Sequence, residues 1–278
     1  MLSHAVVAGP AAQASRTVWI LHGILGSGRN WRAFARRLIE RCPSWCVVLV
    51  DLRHHGDSHD QLGPDTITGC AQDLLELGAS IGAPRVVIGH SFGGKVTLGY
   101  AALRPAGLAA VWVLDAIPVA LGADALDDEV LGVLAQAAAM TPPFRSHEEV
   151  HQAFRVAGFS ELLAGWMTTN VHRVEGGLTW RFDLDGARAL LLSYAETDFT
   201  SLLAAPPMPI HLVRGGRSSR WTPAVLDSLA VMGNDRLTVH LMPDAGHWLH
   251  VDDPETLLTM LASGLQDTEG ATQGMSDS

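Results

Sequence analysis

Short, unbroken apolar runs separated by helix-length segments are the feature that most limits how this chain can fold. Thr17 to Leu21, Trp45 to Val50, Arg85 to Ile88 and Ala109 to Leu114 are rich in β-branched and apolar residues, with little alternation. A strand with one wet face alternates, whereas a strand covered on both faces does not. Between the runs, Trp31, Phe34, Leu38 and Ile39 recur on one face of a helix, with Asn30 at its cap position. Thr66 to Ile81 carries Leu74, Leu75 and Leu77 at helical spacing, and Phe92 to Leu103 is stopped by Pro105. Strand and helix in alternation predict an α/β chain with a mostly parallel, twisted sheet flanked by helices.

The rhythm breaks after Ile117. Residues 118–207 offer helical segments (Asp124 to Met140, His147 to Val156, Ser160 to Asn170, Ala187 to Tyr194) and few strands. The strand–helix pattern resumes at Ile210 to Val213, a helix from Pro223 to Val231, Leu237 to Leu241, and a last helix from Pro254 to Leu265. The expected organisation is therefore a core of residues 1–117 and 208–265, and a helical lid of residues 118–207 inserted between two sheet strands. Residues 266–278, rich in Gly, Thr, Ser, Gln and Asp, read as a disordered tail.

The 278 residues suffice for one large core, and 47% hydrophobic against 17% charged is a globular balance. The formal net charge of −10 disfavours nucleic acid as a partner. Cys42, Cys46 and Cys70 form neither a disulfide framework nor a metal-ligand spacing and read as buried thiols. There is no basic start followed by a long apolar run, and no run of the ~18 apolar residues that a bilayer span requires. The expectation is a cytoplasmic protein without a membrane span. A homodimer is compatible with the sequence.

Chemistry enters at Gly89-His90-Ser91-Phe92-Gly93, a G-x-S-x-G turn set directly between a strand and a helix. The five residues alone are weak evidence, since a serine after a glycine turn is also an ordinary helix cap. A serine hydroxyl needs a base to become a nucleophile. Of the 13 histidines, His247 in Asp244-Ala245-Gly246-His247-Trp248 follows the last strand, where a loop can reach the sheet edge, with His250 as its competitor. The base needs a carboxylate. Asp115 stands at the carboxyl end of the strand beside the serine strand, where catalytic groups gather in open α/β sheets. Its other readings are a turn before Pro118 or a cap, with Asp244 a remote alternative acid. The amides of Phe92 and Ile24 are the expected oxyanion donors. His22, His54, His55 and His90 read as structural groups.

With these residues assembled, the chain resembles the α/β-hydrolase superfamily over roughly residues 16–265. The landmarks are His22-Gly23, Asp51-Leu52-Arg53-His54-His55-Gly56-Asp57-Ser58, Gly89-His90-Ser91-Phe92-Gly93-Gly94-Lys95 and Gly246-His247, in order. In that superfamily the acid usually follows the strand after the insertion. Here Arg214 to Leu226 holds no Asp or Glu, which turns the choice to Asp115. Within the superfamily the resemblance is to small bacterial esterases of the YbfF-like group, which share the Gly-Gly-Lys and a Gly-Gly-x-Ser turn at the usual acid site.

The resemblance implies hydrolysis of short to medium acyl esters or thioesters on Ser91, with no metal and no cofactor. His22, Trp166, Ser218, Trp221 and Trp248 are candidate pocket residues, with Trp180 and Phe199 as further candidate apolar walls. The continuation Ser219-Arg220-Trp221 departs from the group's pattern. Other chemistries on the same triad stay open: C–C bond hydrolysis, a menaquinone-type lyase step and cofactor-free haloperoxidation. A non-catalytic small-molecule receptor is a further alternative.

Overall fold

The computed structural model describes residues 1–9, 16–58, 63–121, 128–230, 232 and 234–276. The first half runs β1 (His4–Ala8), β2 (Thr17–Leu21), α1 (Arg32–Arg41), β3 (Cys46–Val50), α2 (Ile67–Ile81), β4 (Val86–His90), α3 (Phe92–Ala102) and β5 (Ala110–Leu114). Between β5 and the next sheet strand come α4 (Asp128–Ala139), α5 (His147–Val156), α6 (Glu161–Thr168), a hairpin of β6 (Val171–Val174) and β7 (Gly177–Trp180), α7 (Leu184–Glu196) and α8 (Thr200–Ala204). The chain closes with β8 (Ile210–Gly215), α9 (Pro223–Ala230), β9 (Leu237–Met242), α10 (Leu249–Asp252) and α11 (Pro254–Ser276).

Seven strands form one sheet in the order β1-β3-β2-β4-β5-β8-β9. All neighbours are parallel except β1, which lies antiparallel on β3. Successive residues of a strand face opposite sides, and the packing follows that parity. Val18 and Ile20 join Trp31, Phe34, Leu38 and the apolar face of α11 on one side. Trp19 and Leu21 join Leu74, Leu77 and α3 on the other. α3 is buried along nearly its whole length, so it reads as apolar all round rather than striped. Sequence-adjacent strands are not always sheet neighbours. Crossing from β3 over β2 to β4 puts Ser91 near the middle of the sheet, where the loops of several strand ends converge.

Four expectations need correction. β1 was not foreseen, and neither was the β6–β7 hairpin, which pairs Val171 with Trp180. Asn30 does not cap a helix. It lies in a 3-10 turn, accepts the Ser27 amide at 2.7 Å and donates to Thr169 Oγ1 at 3.0 Å. The segment after Gln266 is not a disordered tail: α11 continues through it, and Glu269 accepts a hydrogen bond from Ser44 Oγ at 2.5 Å and pairs with Arg16 at 3.1 Å. Residues 277–278 lie outside the described residues, as do residues 124–127 of the expected helix from Asp124, which is described from Asp128. Inside the insertion, Ser146, Ser160 and Asp183 accept the amides of Glu149, Leu163 and Gly186. These N-caps set the starts of α5, α6 and α7. Cys42, Cys46 and Cys70 are free and buried.

Candidate active site

β4 delivers Ser91 into a turn that a non-glycine residue adopts only under constraint. Its φ is 53° and ψ −119°, a sparsely populated region that persists only where the surroundings impose it. The surroundings are backbone. A Cβ at position 89 would overlap the Gly93 carbonyl, and one at position 93 would overlap the carbonyls of Leu21 and His22. Glycine at both places lets β4, α3 and the end of β2 approach that closely. The Ser91 amide donates to the Leu114 carbonyl at 2.8 Å, which joins the turn to the end of β5. Ser91 is 8% exposed.

One residue beyond β5, Asp115 is fully buried and itself has a positive φ of 46°. Four donors meet its carboxylate. Oδ2 accepts from His247 Nδ1 at 2.8 Å and Ser218 Oγ at 2.7 Å. Oδ1 accepts from the Gly215 amide at 3.0 Å and Trp221 Nε1 at 2.7 Å. Burial alone would raise the pKa of this carboxyl. The bonds and charge of His247, with the bonds from Ser218 and Gly215, outweigh it and hold Asp115 below the ordinary carboxylate range. A carboxylate can only accept here, so His247 Nδ1 carries the proton and Nε2 presents the lone pair.

The His247 loop is fixed from two sides. His90 Nε2 donates to the His247 carbonyl at 2.9 Å, and the Gly246 amide donates to Asp252 Oδ2 at 2.7 Å. Burial, reinforced by the neighbouring His247 and His250, pushes His90 well below the usual imidazole range. It stays neutral and acts as a donor. His250 stacks on Trp31 with ring centroids 4.0 Å apart, and burial lowers it to about 3. It does not meet the Asp115 carboxylate, whereas His247 does.

The loop after β2 is held by two more neutral imidazoles. His22 accepts the Leu52 amide at Nε2 (3.0 Å) and donates from Nδ1 to the Gly23 carbonyl (2.7 Å). His55 accepts the Leu25 amide at Nε2 (2.9 Å) and donates from Nδ1 to the Arg53 carbonyl (2.7 Å). Burial lowers them to about 4 and about 3 respectively. This clamp fixes the backbone around Ile24. Phe92 opens α3, where the first backbone N–H groups find no acceptor inside the helix. At the far side of the turn, buried Lys95 donates to the carbonyls of Val119 (2.9 Å) and Tyr194 (2.6 Å), tying both ends of the insertion to α3. Burial lowers its ammonium to about 8.

Ser91 and His247 line one narrow cavity. Ile24 and Leu25 form one wall, Val130 and Val133 of α4 another, and Leu163, Trp166 and Trp248 a third, with Glu129 and Arg220 also at the lining. Of the candidate pocket residues, Trp166 and Trp248 are therefore at the cavity. His22 and Trp221 are not among its lining residues: His22 serves the loop, and Trp221 donates to the acid. Ser218 also donates to the acid, and it borders an outer basin with Arg217 and Arg220 rather than the inner cavity. Trp180 packs among Phe144, Phe154 and Phe182 within the insertion. Phe199 is likewise absent from the lining; it starts α8 and packs on the core. The role of Trp221 was not read from sequence. Its partner Asp115 lies 106 positions away in the chain. Among the described residues, no group of three or more His, Cys, Asp or Glu is arranged to hold a metal ion. Likewise no described helix is long and apolar enough to cross a membrane.

This fold and this arrangement define a class, and comparison with known proteins gives the same one. The model of the alpha/beta hydrolase family matches residues 20–259, and the chain belongs to that family. Among curated proteins it is similar to the sn-1-specific diacylglycerol lipase ABHD11 of Mus musculus, 27% identical over 88% of this chain and 79% of the relative. It is also similar to esterase YbfF of Escherichia coli, 26% identical over 89% of this chain and 92% of the relative. Among solved structures, a marine microorganism esterase superposes with a TM-score of 0.80 at 23% identity, covering 94% of this chain and 98% of the other. The chain is thus a hydrolase-family protein close to YbfF-like esterases, and such a hydrolase acts on a small-molecule substrate.

Proposed function

We propose that this chain is a serine hydrolase that cleaves carboxylic esters, including thioesters, of short to medium acyl chains through an acyl-enzyme on Ser91. One observation carries the reading. The buried Asp115 carboxylate binds His247 Nδ1 at 2.8 Å, and that histidine shares an apolar cavity with a serine held in a constrained turn. In the first step His247 Nε2 takes the Ser91 proton as Oγ attacks the carbonyl carbon. Asp115 stabilises the imidazolium, and the amides of Ile24 and Phe92 receive the oxyanion. Collapse of the tetrahedral adduct breaks the bond to the leaving oxygen or sulfur, which His247 protonates. Water, deprotonated by the same imidazole, then releases the acid and regenerates Ser91.

The insertion acts as the roof of the site: Val130, Val133, Leu163 and Trp166 belong to it and line the cavity that contains Ser91. An apolar roof excludes water from the adduct and strengthens the oxyanion bonds.

The test is labelling with a fluorophosphonate probe together with hydrolysis of p-nitrophenyl acetate. Wild type labels at Ser91 and turns over, and Ser91→Ala does neither. Full esterase activity in Ser91→Ala overturns the assignment. An unlabelled wild type points to a receptor on the same fold, and turnover of C–C substrates without ester turnover points to a C–C hydrolase.

A further inference from the structure

Leu163, Trp166 and Trp248 line two spaces at once. On one side is the cavity lined by Ser91 and His247. On the other is an open groove between α1, α6 and α10, bordered by Ala33, Phe34 and Val251, with Arg29, Asn30 and Thr169 at its polar edge. The two indoles meet with ring centroids 5.0 Å apart and planes inclined at 60°. Both are half-buried, as a ring with a space on each side must be.

The two rings come from different parts of the molecule. Trp166 sits on α6 of the insertion, and Trp248 follows the catalytic histidine candidate. Each is held from behind. The Trp166 carbonyl accepts the Thr169 amide at 3.0 Å and Thr169 Oγ1 at 2.7 Å, and Asn30 Nδ2 donates to that hydroxyl at 3.0 Å. The end of α6 is thereby tied to the loop before α1. Trp248 packs against His90 and His247 with centroids 5.6 and 5.7 Å away.

We infer that the Trp166–Trp248 pair is the end wall of the acyl site and limits this chain to short acyl groups. The groove beyond the wall is mostly apolar, with Ala33, Phe34, Leu162 and Val251 in its lining, and a longer chain would occupy it if the wall were opened. The inference rests on the serine-hydrolase reading above and sharpens its chain length. Each methylene that reaches apolar wall raises kcat/KM about fourfold. The gain stops where the chain meets the indoles, and longer chains then have to displace packed rings.

The experiment compares kcat/KM for p-nitrophenyl acetate, butyrate, octanoate and laurate. Wild type falls off beyond butyrate. Trp166→Ala joins the two spaces and raises the octanoate-to-acetate ratio by about tenfold or more. Trp166→Phe, which keeps a ring in place, gives an intermediate ratio. Adding Ala33→Trp to Trp166→Ala refills the groove and returns the ratio toward wild type. A wild type that prefers octanoate overturns the wall, as does an unchanged ratio in both Trp166 variants. Fluorophosphonate labelling separates the failures. Ser91 labelled with an unchanged ratio rejects the wall alone, whereas no labelling of wild type rejects the serine-hydrolase reading.

Discussion

The loops that follow β5 and β8 lie side by side at the same sheet edge and divide one task between them. The loop after β5 brings a carboxylate and no donor to it; the loop after β8 brings donors and no carboxylate. Asp115 is fully buried, and a lone buried charge costs several kcal/mol. The Gly215 amide at the end of β8, with Ser218 Oγ and Trp221 Nε1 of the loop that follows, offset that cost, and His247 is the fourth donor. The difference is that the carboxylate and its donors come from separate segments of the chain. We propose from it that a carboxylate from either strand end would serve, given an oxygen against His247 Nδ1 and donors on the remaining lone pairs.

The largest test of that comparison removes the carboxylate. Asp115→Asn is expected to lower kcat on p-nitrophenyl acetate by about 10⁴-fold, by presenting the imidazole in the wrong tautomer. Asp244→Asn, on an exposed turn, should leave it within experimental error. Equal losses would erase the distinction between the loops. Next, the carboxylate can be moved. Ser218 and His247 share Asp115 Oδ2, so Asp115→Ala with Ser218→Asp is expected to recover about 10²-fold of the lost rate. No recovery over Asp115→Ala alone would mean that the β5 position is required and the loops are not exchangeable.

A smaller effect is expected from thinning the donors. Trp221→Phe removes one hydrogen bond to a charged group, worth ~1.5–3 kcal/mol, and should lower kcat by about tenfold. Its pH signature is specific. Asp115 is held below the ordinary carboxylate range: burial opposes this, and its hydrogen bonds prevail. A depressed carboxylate stabilises the fold above its unfolded value, and that contribution is lost as pH falls through the folded value. Removing a donor raises the folded value, so acid unfolding and the acid limb of the activity profile should both move to higher pH. An unmoved acid limb would make the indole a packing group only. The smallest effect is expected at Ser219, exposed in the same loop. Ser219→Ala should change stability by no more than about 0.5 kcal/mol in a denaturant titration, which localises the donor role to its neighbours.

The parts of this arrangement that were legible in the sequence are those whose cause is local. The Ser91 turn is written in five adjacent residues between a strand pattern and a helix pattern. The buried strands announce themselves by unbroken apolar runs. The position of His247 follows from its place after the last strand. Asp115 was legible from its place at the end of the strand beside the serine strand and from the resemblance, since the segment that usually carries the acid in that superfamily has none to offer here. The donors to Asp115 were not, since Ser218 and Trp221 lie 103 and 106 positions away, and nothing in their own neighbourhood marks them as partners of a carboxylate. The same holds for the edges. β1 alternates weakly and owes its existence to pairing with β3. The end of α11 is polar in composition and is anchored by contacts of Glu269 with Ser44 and Arg16. Such contacts are supplied by tertiary structure and are invisible to a local pattern.

The bond from His90 to the His247 carbonyl spans 157 positions, and that distance has a meaning in the order of synthesis. A ribosome completes the Ser91 turn early and has still to make the whole insertion, β8 and β9 before His247 exists. Until then Ser91 is an ordinary alcohol among folding strands, with no His247 imidazole beside it. His90, the residue just before the serine, holds the carbonyl of His247, so on the proposed mechanism the contact that seats this loop is also the one that sets its imidazole beside the Ser91 turn.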